Sequence, residues 1–343
     1  MGSSEPEILI RDIAHSCNTF VMYQELNETS KVKLSLRAAQ LYYQQDLTME
    51  AIGTELNVSR SSVSRLLQMA RDRGIVEIKV HTPDEAPRRI ASEINDRFGV
   101  NAHLVPVSDA ISPVEQLDRV SLSAARMLSG FFGSKMTMGV AWGATTSAVS
   151  RHLTRRQTSD SRIVQLNGAG NDHTTGVTYS GEILRRFGEA FSAVVEQFPV
   201  PAFFDDSDTK SILWRERSIK RTLNIQGSLD VALFGLGALH AEVPSHVYTA
   251  GYLSQADLDS LRDDNVVGDI ATVFYRPDGS WEDVKLNRRS SGLDLDVLKR
   301  APRRICVVSG KSRIPSLQGA LAGGFITDLI IDDFSAASLL TAS

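Results

Sequence analysis

LTMEAIGTELNVSRSSVSRLL, residues 47–67, reads as two short helices joined by a tight turn. Thr48 is a candidate N-cap for the first helix, whose apolar face closes at Leu56. Gly53 stands where two helices must approach closely, Asn57 tolerates the left-handed conformation a tight turn demands, and Val58 is an apolar plug. Ser59 caps the second helix, and Val63, Leu66 and Leu67 give it an inward face at i, i+3, i+4. Its other face carries Arg60, Ser61, Ser62, Ser64 and Arg65, donors suited to phosphates and base edges at a helix N-terminus. The expected arrangement is therefore a helix-turn-helix whose second helix enters the major groove of double-stranded DNA, with Thr48 and Ser59–Arg65 as its contact region. The bland alternative is a helical hairpin with a solvated basic face.

Charge supports a local rather than a general polyanion surface. Between Ser59 and Arg73 four arginines face one aspartate, yet the 343-residue chain has a net charge of −4. That balance fits a specific DNA reader better than a nucleic-acid coat. With 42% hydrophobic and 23% charged residues, the chain has the composition of a globular protein of two or three domains. Its two cysteines, Cys17 and Cys306, offer neither a disulfide framework nor a metal-ligand spacing. No apolar run approaches the ~20 residues that span a membrane, and the N-terminus lacks a basic-then-apolar leader pattern. A cytoplasmic setting without membrane contact is expected. Residues 1–30 carry no readable role.

A helix is expected from Val32 to Gln45, with Leu34, Ala38, Leu41 and Tyr42 on one face. The second helix of the turn motif should stop near Gly74, and IVEIKV (75–80) alternates as a strand does. These features bound a DNA-binding domain at 31–81 and a proline-bracketed linker at 82–88. From residue 89 to 343 the pattern is α/β. Helices are expected near 89–98 and 114–132. Apolar strands follow at 103–107, 136–140, 162–166, 230–236, 270–275 (IATVFY), 304–309 and 328–331. Strands alternating with helices argue for a mostly parallel sheet covered on both faces. Ligands of such sheets bind at the carboxyl ends of the strands.

Those ends carry candidate ligand groups. Gly143-Ala144-Thr145-Thr146 opens a helix after one strand, where free N–H groups and two hydroxyls suit an anion or a hydroxylated molecule. Asn167-Gly168 and Gly235-Leu236-Gly237 follow two other strands. Asp269 is placed to accept from sugar hydroxyls, and Arg313 opens a helix after RICVV, where a guanidinium matches phosphate. A structural role for Arg313, paired with Asp332 or Asp333, is the competing reading. Asp172-His173 and His240 read as solvated or structural groups, and no nucleophile elbow, Walker loop or HExxH is present. Neither catalytic residues, a metal nor a cofactor is expected.

Several segments together resemble the SorC family of bacterial sugar-responsive transcriptional regulators across about residues 31–343. RAAQLYYQQDLTMEAIGTELNVSRSSVSRLLQMARDRGIVEIKV (37–80) is similar to the family's DNA-binding head, and MGVAWGATTSAV (138–149) to its first ligand loop. FPVPAFF (198–204), VVGDIATVFYRPDGS (266–280) and the run from Ser291 to Leu340 resemble the rest of the effector domain. The resemblance implies a Rossmann-like α/β effector domain similar to ribose-5-phosphate isomerase and glucosamine-phosphate deaminase, and a homotetramer. It implies a sugar, polyol or sugar-phosphate effector cradled by Gly143–Thr146, a second ligand loop at Asn167 and Gly168, and an acid at Asp269. Arg313 stands where the family generally has Lys; the cation is kept, but an amine able to form a Schiff base is not. The expected function is a regulator whose operator binding is set by its effector. The rivals are a sugar-phosphate isomerase or deaminase with an appended head, tested by turnover, and a sigma-like factor, tested by core-polymerase binding.

Overall fold

The computed structural model describes residues 30–43, 45, 47–76, 85–108, 110–239, 241–243 and 245–342. The chain divides into two compact units, Met1–Pro83 and Asp84–Ser343. In the first, a helix at 30–43 precedes Met49–Glu55 and Arg60–Asp72. Ala38, Leu41, Ile52, Val63, Leu67 and Ala70 make a small core closed by Tyr42, Leu56, Val58 and Leu66. Burying each large aliphatic group there contributes about 1.5–3 kcal/mol. Leu34 does not face this core and is 37% exposed. The inward stripe runs instead through Ser35, Ala38 and Leu41, with the Ser35 hydroxyl donating to the carbonyl of Leu66 at 2.7 Å. Only a small polar residue fits that close a contact, so the apolar periodicity is offset by one position. Ile75 and Val76 pack on the same cluster, but the rest of IVEIKV lies outside the described residues.

The second unit begins with a helix at Glu85–Phe98, earlier than the proline-bracketed spacing suggests. Pro87 falls in its first turn, where a missing N–H breaks no intrahelical bond, so the end of the expected linker is helical. Seven strands form a wholly parallel sheet: β1 Asn101–Val105, β2 Thr137–Val140, β3 Arg162–Gln165, β4 Val194–Glu196, β5 Val231–Gly235, β8 Arg303–Val308 and β9 Asp328–Asp332. β6 Gly268–Ile270 and β7 Val273–Tyr275 form a separate antiparallel pair. Alternate residues of the central strands sort into two cores. Ala232, Phe234, Cys306, Val308, Leu329 and Ile331 face one side, with Ile94, Leu298, Leu317 and Leu339 of the helices covering it. Val231, Leu233, Ile305, Val307 and Ile330 face the other, covered by Val120, Ala124, Leu128, Val149, Ile183 and Phe187. Two buried faces are why these strands read as unbroken apolar runs.

The strand order is β1-β9-β8-β5-β2-β3-β4. The chain therefore runs outward from β2 through β3 and β4, and returns on the opposite side with β5. Such a reversal opens a crevice at the carboxyl ends of the two strands that flank it, here β2 and β5.

IATVFY is not one strand. Ala271 and Thr272 turn the chain at positive φ, +49° and +69°, between β6 and β7. Two positive-φ residues make the tight hairpin turn that matches strand twist. An L-residue there costs about 1–2 kcal/mol, and most for a β-branched one. The turn is held by three fixed bonds. The Thr272 N–H donates to Asp269 Oδ2 at 3.1 Å, and the Ser290 hydroxyl donates to the Thr272 carbonyl at 2.7 Å and contacts its hydroxyl at 3.1 Å.

Candidate functional site

A pocket of about 470 Å³, its open mouth included, occupies the β2/β5 crevice. Each strand end delivers its turn to it for a local reason. After β2, Gly143 adopts φ +156° and ψ 175°, a region that essentially only glycine enters. A Cβ at Gly143 would meet nothing within 4 Å, because that side of the residue is open. The helix Ala144–Arg151 follows with no side chain capping its first N–H groups. The first of its backbone amides to find an internal partner is that of Ser147, which donates to the Gly143 carbonyl at 2.9 Å. The amides of Ala144, Thr145 and Thr146 thus begin the helix as a free donor set, with the positive end of the helix dipole behind them.

After β5, Gly235 and Gly237 are glycines for packing. A Cβ at Gly235 would stand 2.8 Å from the Thr145 hydroxyl, and one at Gly237 would collide with the Asp269 carboxylate. Asp269 is buried and receives the Tyr248 hydroxyl at 3.0 Å on Oδ1 and the Thr272 N–H on Oδ2. Burial nevertheless pushes its carboxyl up to about 6, the two donors opposing only part of that rise. After β3, Asn167 is 1% exposed, and its Oδ1 has no hydrogen-bond partner. A buried acceptor left unsatisfied is costly, so this one invites a donor.

Arg313 closes the pocket after β8. It is 4% exposed, and its guanidinium donates to the carbonyls of Leu236 at 3.3 Å, Ser309 at 3.0 Å and Val243 at 2.6 Å. Among the described residues no carboxylate lies within ion-pair distance of it, and burial lowers its proton affinity, with Glu242 opposing. The expected structural alternative does not hold. Asp332 instead caps the helix Asp333–Thr341 through the Ser335 N–H at 2.8 Å and accepts from Gly310 N–H, while Asp333 accepts from Val107 N–H at 3.2 Å. A buried cation whose acceptors are all neutral carbonyls is not neutralised by an ion pair, so its charge is felt in the pocket alongside the Asp269 carboxyl.

Of the residues singled out from the sequence, Gly143, Ala144, Thr145, Thr146, Asn167, Gly235, Gly237, Asp269 and Arg313 line this one pocket. Gly168 does not. Its N–H donates... to the Ser291 hydroxyl oxygen at 3.0 Å and its carbonyl accepts from the Trp142 indole at 2.8 Å, so it sits one residue behind the wall. A Cβ there would strike the carbonyls of Val200 and Pro201, which explains the glycine without a ligand. Trp142, Ser245, Val247 and Thr272 line the pocket and were not singled out. Segment 245–252 brings Ser245 and Val247 to the wall, held by the Tyr179–His246 ring stack at 4.8 Å and by the Tyr252 hydroxyl on the Ala169 carbonyl at 2.9 Å. Its signal in sequence is only a local density of Tyr and His. Asp172 and His173 are exposed to solvent, and His240 lies outside the described residues.

The raised Asp269 carboxyl has a consequence for stability. A buried acid that binds its proton more tightly when folded stabilises most below the unfolded value near 4, and the benefit disappears as pH rises through about 6. Asp269→Asn cannot ionise. Between pH 4.5 and 7.5 the wild type should therefore lose about 2 kcal/mol relative to Asp269→Asn. Urea melts of both proteins at the two pH values read the difference directly. Parallel pH profiles would mean that the carboxyl is not held in this way.

The first unit presents its own surface. Ser59 caps the helix Arg60–Asp72 by accepting from the Ser62 N–H at 3.2 Å, and its hydroxyl also contacts those of Ser61 and Ser62, each at 2.9 Å. Thr48 caps Met49–Glu55 through the Ala51 N–H at 3.2 Å. Asn57 takes φ +52°, and a Cβ on Gly53 would come 2.8 Å from the Val58 carbonyl, so both turn residues are dictated by backbone. Arg60, Ser61, Ser64 and Arg65 are exposed, and Arg60 pairs with Glu50 at 2.7 Å.

Comparison with known proteins covers most of the chain. Residues 84–341 match the family model described as "Putative sugar-binding domain". The deoxyribonucleoside regulator of Bacillus subtilis (strain 168) is 32% identical over 316 residues, covering 91% of this chain and 99% of that protein. The crystal structure of a domain of a possible sugar-binding transcriptional regulator from Arthrobacter aurescens TC1 is 52% identical, with a TM-score of 0.71 over 76% of this chain and all of that one. The full-length sorbitol operon regulator SorC of Klebsiella pneumoniae gives a TM-score of 0.76 at 25% identity, covering 90% of this chain and 98% of that one. Fold and relatives define a transcriptional regulator with an α/β sugar-binding domain. The chain belongs to the SorC family of sugar-binding transcriptional regulators.

Proposed function

We propose that the first unit is a helix-turn-helix head that binds double-stranded operator DNA through Thr48, Ser59, Arg60, Ser61, Ser62, Ser64 and Arg65. The second unit, from about residue 85 onward, binds a sugar, polyol or sugar phosphate in the β2/β5 crevice and sets the head's operator affinity. The observation that carries the effector reading is the convergence at one crevice of free helix amides, the carbonyl-braced Arg313 and the unpartnered Asn167 Oδ1. An anionic group on the ligand satisfies the amides of Ala144–Thr146 under the field of Arg313. A hydroxyl supplies the donor that Asn167 lacks, and Asp269 accepts a second. The ligand's differential affinity for two arrangements of the regulator is what shifts DNA binding.

Sensing rather than turnover fits the state of Asp269, whose two oxygens already hold fixed donors and are poorly placed to relay a proton. The resemblance to sugar-phosphate isomerases and deaminases is then one of architecture. One head contacts few phosphates, so a homodimer or homotetramer on DNA is part of the proposal. A cytoplasmic location follows from the function. Among the described residues, no helix is long and apolar enough to cross a membrane.

A screen of free and phosphorylated pentoses, hexoses and polyols by thermal shift, followed by operator gel shifts with the best ligand, tests this reading. Residues 84–343 alone should fold, self-associate and keep the ligand response. At a hundredfold excess over Kd the ligand should add about 2.7 kcal/mol to the fragment's stability. If the fragment is insoluble, or if no sugar or sugar phosphate stabilises either form, the assignment of the crevice is wrong.

A further inference from the structure

A second cavity, about 790 Å³ with its mouth included, opens in the same unit away from the crevice. Its wall is apolar and aromatic: Trp214, Leu223, Val273 and Val297 contribute. Trp214 is pinned edge-on by Phe198 and Phe204, with ring centroids at 5.7 and 5.5 Å, so this face is rigid. Two hydrogen-bond donors border the apolar wall. The Lys210 ammonium lies 5.5 Å from the Trp214 ring centroid, and its hydrogen bond, to the Asn287 carbonyl, is a long 3.4 Å. Among the described residues no carboxylate stands within ion-pair distance of it; Asp294 also lines the cavity and favours the charged ammonium at longer range, while its Oδ1 caps the helix Leu295–Arg300 through the N–H groups of Asp296 and Val297. The second donor is the Trp281 indole N–H, buried and without a partner. Asn287 joins the two, because its side chain donates to the Trp281 carbonyl at 2.8 Å.

A buried donor and a partly desolvated ammonium that forms no ion pair, beside aromatic walls, call for one anionic acceptor attached to an apolar body. A phosphate, with its greater charge and hydration, would face a single cation and apolar walls. We infer that this cavity is a second ligand site, distinct from the β2/β5 crevice, for a small carboxylic acid with an aromatic or branched aliphatic body. The carboxylate bridges Lys210 Nζ and the Trp281 indole N–H, and the body lies on Trp214 and Leu223. Occupancy is felt at the crevice's wall. Val273, directly after the strained Ala271-Thr272 turn, lines this cavity, whereas the turn itself lines the crevice. Asn287 also clamps β7 by bonding both the N–H and the carbonyl of Phe274 at 2.8 Å. The site stands on its own residues, whatever occupies the crevice.

Benzoate and cyclohexanecarboxylate are suitable probes, with benzamide as the neutral control, titrated into the full chain by calorimetry and by tryptophan fluorescence. Both acids should bind saturably and perturb the tryptophan emission, and benzamide should bind at least about tenfold more weakly, the loss of a charge-assisted contact. Lys210→Met keeps the aliphatic stem and should weaken benzoate about tenfold or more, and Trp281→Phe keeps the wall but removes the donor and should weaken it several-fold. Both variants change a partly exposed position, and their melting curves report whether they fold. Absence of saturable binding of either acid up to about 10 mM, beyond the ~1 mM range of weak specific ligands, would overturn the inference. So would equal affinity for benzamide, or a folded Lys210→Met that binds benzoate like the wild type.

Discussion

Replacing Arg60 and Arg65 together with alanine is expected to abolish specific operator binding in a protein that remains folded and still responds thermally to its effector. Both side chains are exposed on the helix Arg60–Asp72 and take no part in the small core of Ala38, Leu41, Ile52, Val63 and Leu67. The one ion pair lost, Arg60 with Glu50, joins side chains 70% and 65% exposed and contributes little to stability. A base-reading arginine carries about 1–3 kcal/mol of discrimination, so losing two from each head of a dimer lowers affinity by several decades. Gel shifts at fixed salt, with circular dichroism as the folding control, decide the matter. Nanomolar operator binding by the folded double variant would remove this surface from the recognition model.

Arg313→Met should have the other large effect, now on the ligand domain. Three carbonyls, of Leu236, Ser309 and Val243, lose their donor at once in a buried setting, and each such orphan costs about 1–3 kcal/mol. A destabilisation of roughly 3 kcal/mol or more is expected, together with at least a tenfold rise in the effector concentration that alters DNA binding. Arg313→Lys separates the two roles. It restores the positive charge as a compact point but cannot span three acceptors, so it should recover ligand response better than stability. Operator affinity without effector should stay near the wild-type value in any folded variant, because the change lies in a different unit from the head. A folded Arg313→Met with a normal effector response would show that the cation belongs to the scaffold alone.

What the sequence disclosed, and what it hid, follows from where each signal resides. The central strands were legible because a parallel sheet buried on both faces turns β5, β8 and β9 into apolar runs. The three-residue edge strand β4 carries too short a pattern to stand out. The candidate ligand turns were legible because each joins a strand end to a helix with glycine or a hydroxyl residue. Gly168 shows the limit of that reading: glycine at a strand end also serves close packing, here against Val200 and Pro201. The β6–β7 hairpin left no mark, since its turn is Ala271-Thr272 rather than Asn-Gly, and the conformation is imposed by Asp269 and Ser290 from outside the turn. The wall segment 245–252 has no periodicity; its place depends on contacts with Tyr179, Ala169 and Asp269 that are remote in sequence. In the head, Leu34 was misplaced because a buried serine, Ser35, took the inward position.

The pairing of β1 with β9 has a consequence for how the protein is made. The first strand of the sheet finds its hydrogen-bonded neighbour only in the last, and the nearby contact of Val107 with Asp333 spans 226 residues. During synthesis the head is complete and free of the ribosome long before the ligand domain has the strand that joins β1 to β8, and until residues 328–332 emerge β1 and β8 both lack a hydrogen-bonded neighbour on that side. A message truncated anywhere before Asp328 would thus yield a head able to fold, tethered to a sheet that cannot close. Such a product would depend on chaperones and be cleared by proteases; under the proposed function, its head would compete for operators without any means of sensing the effector.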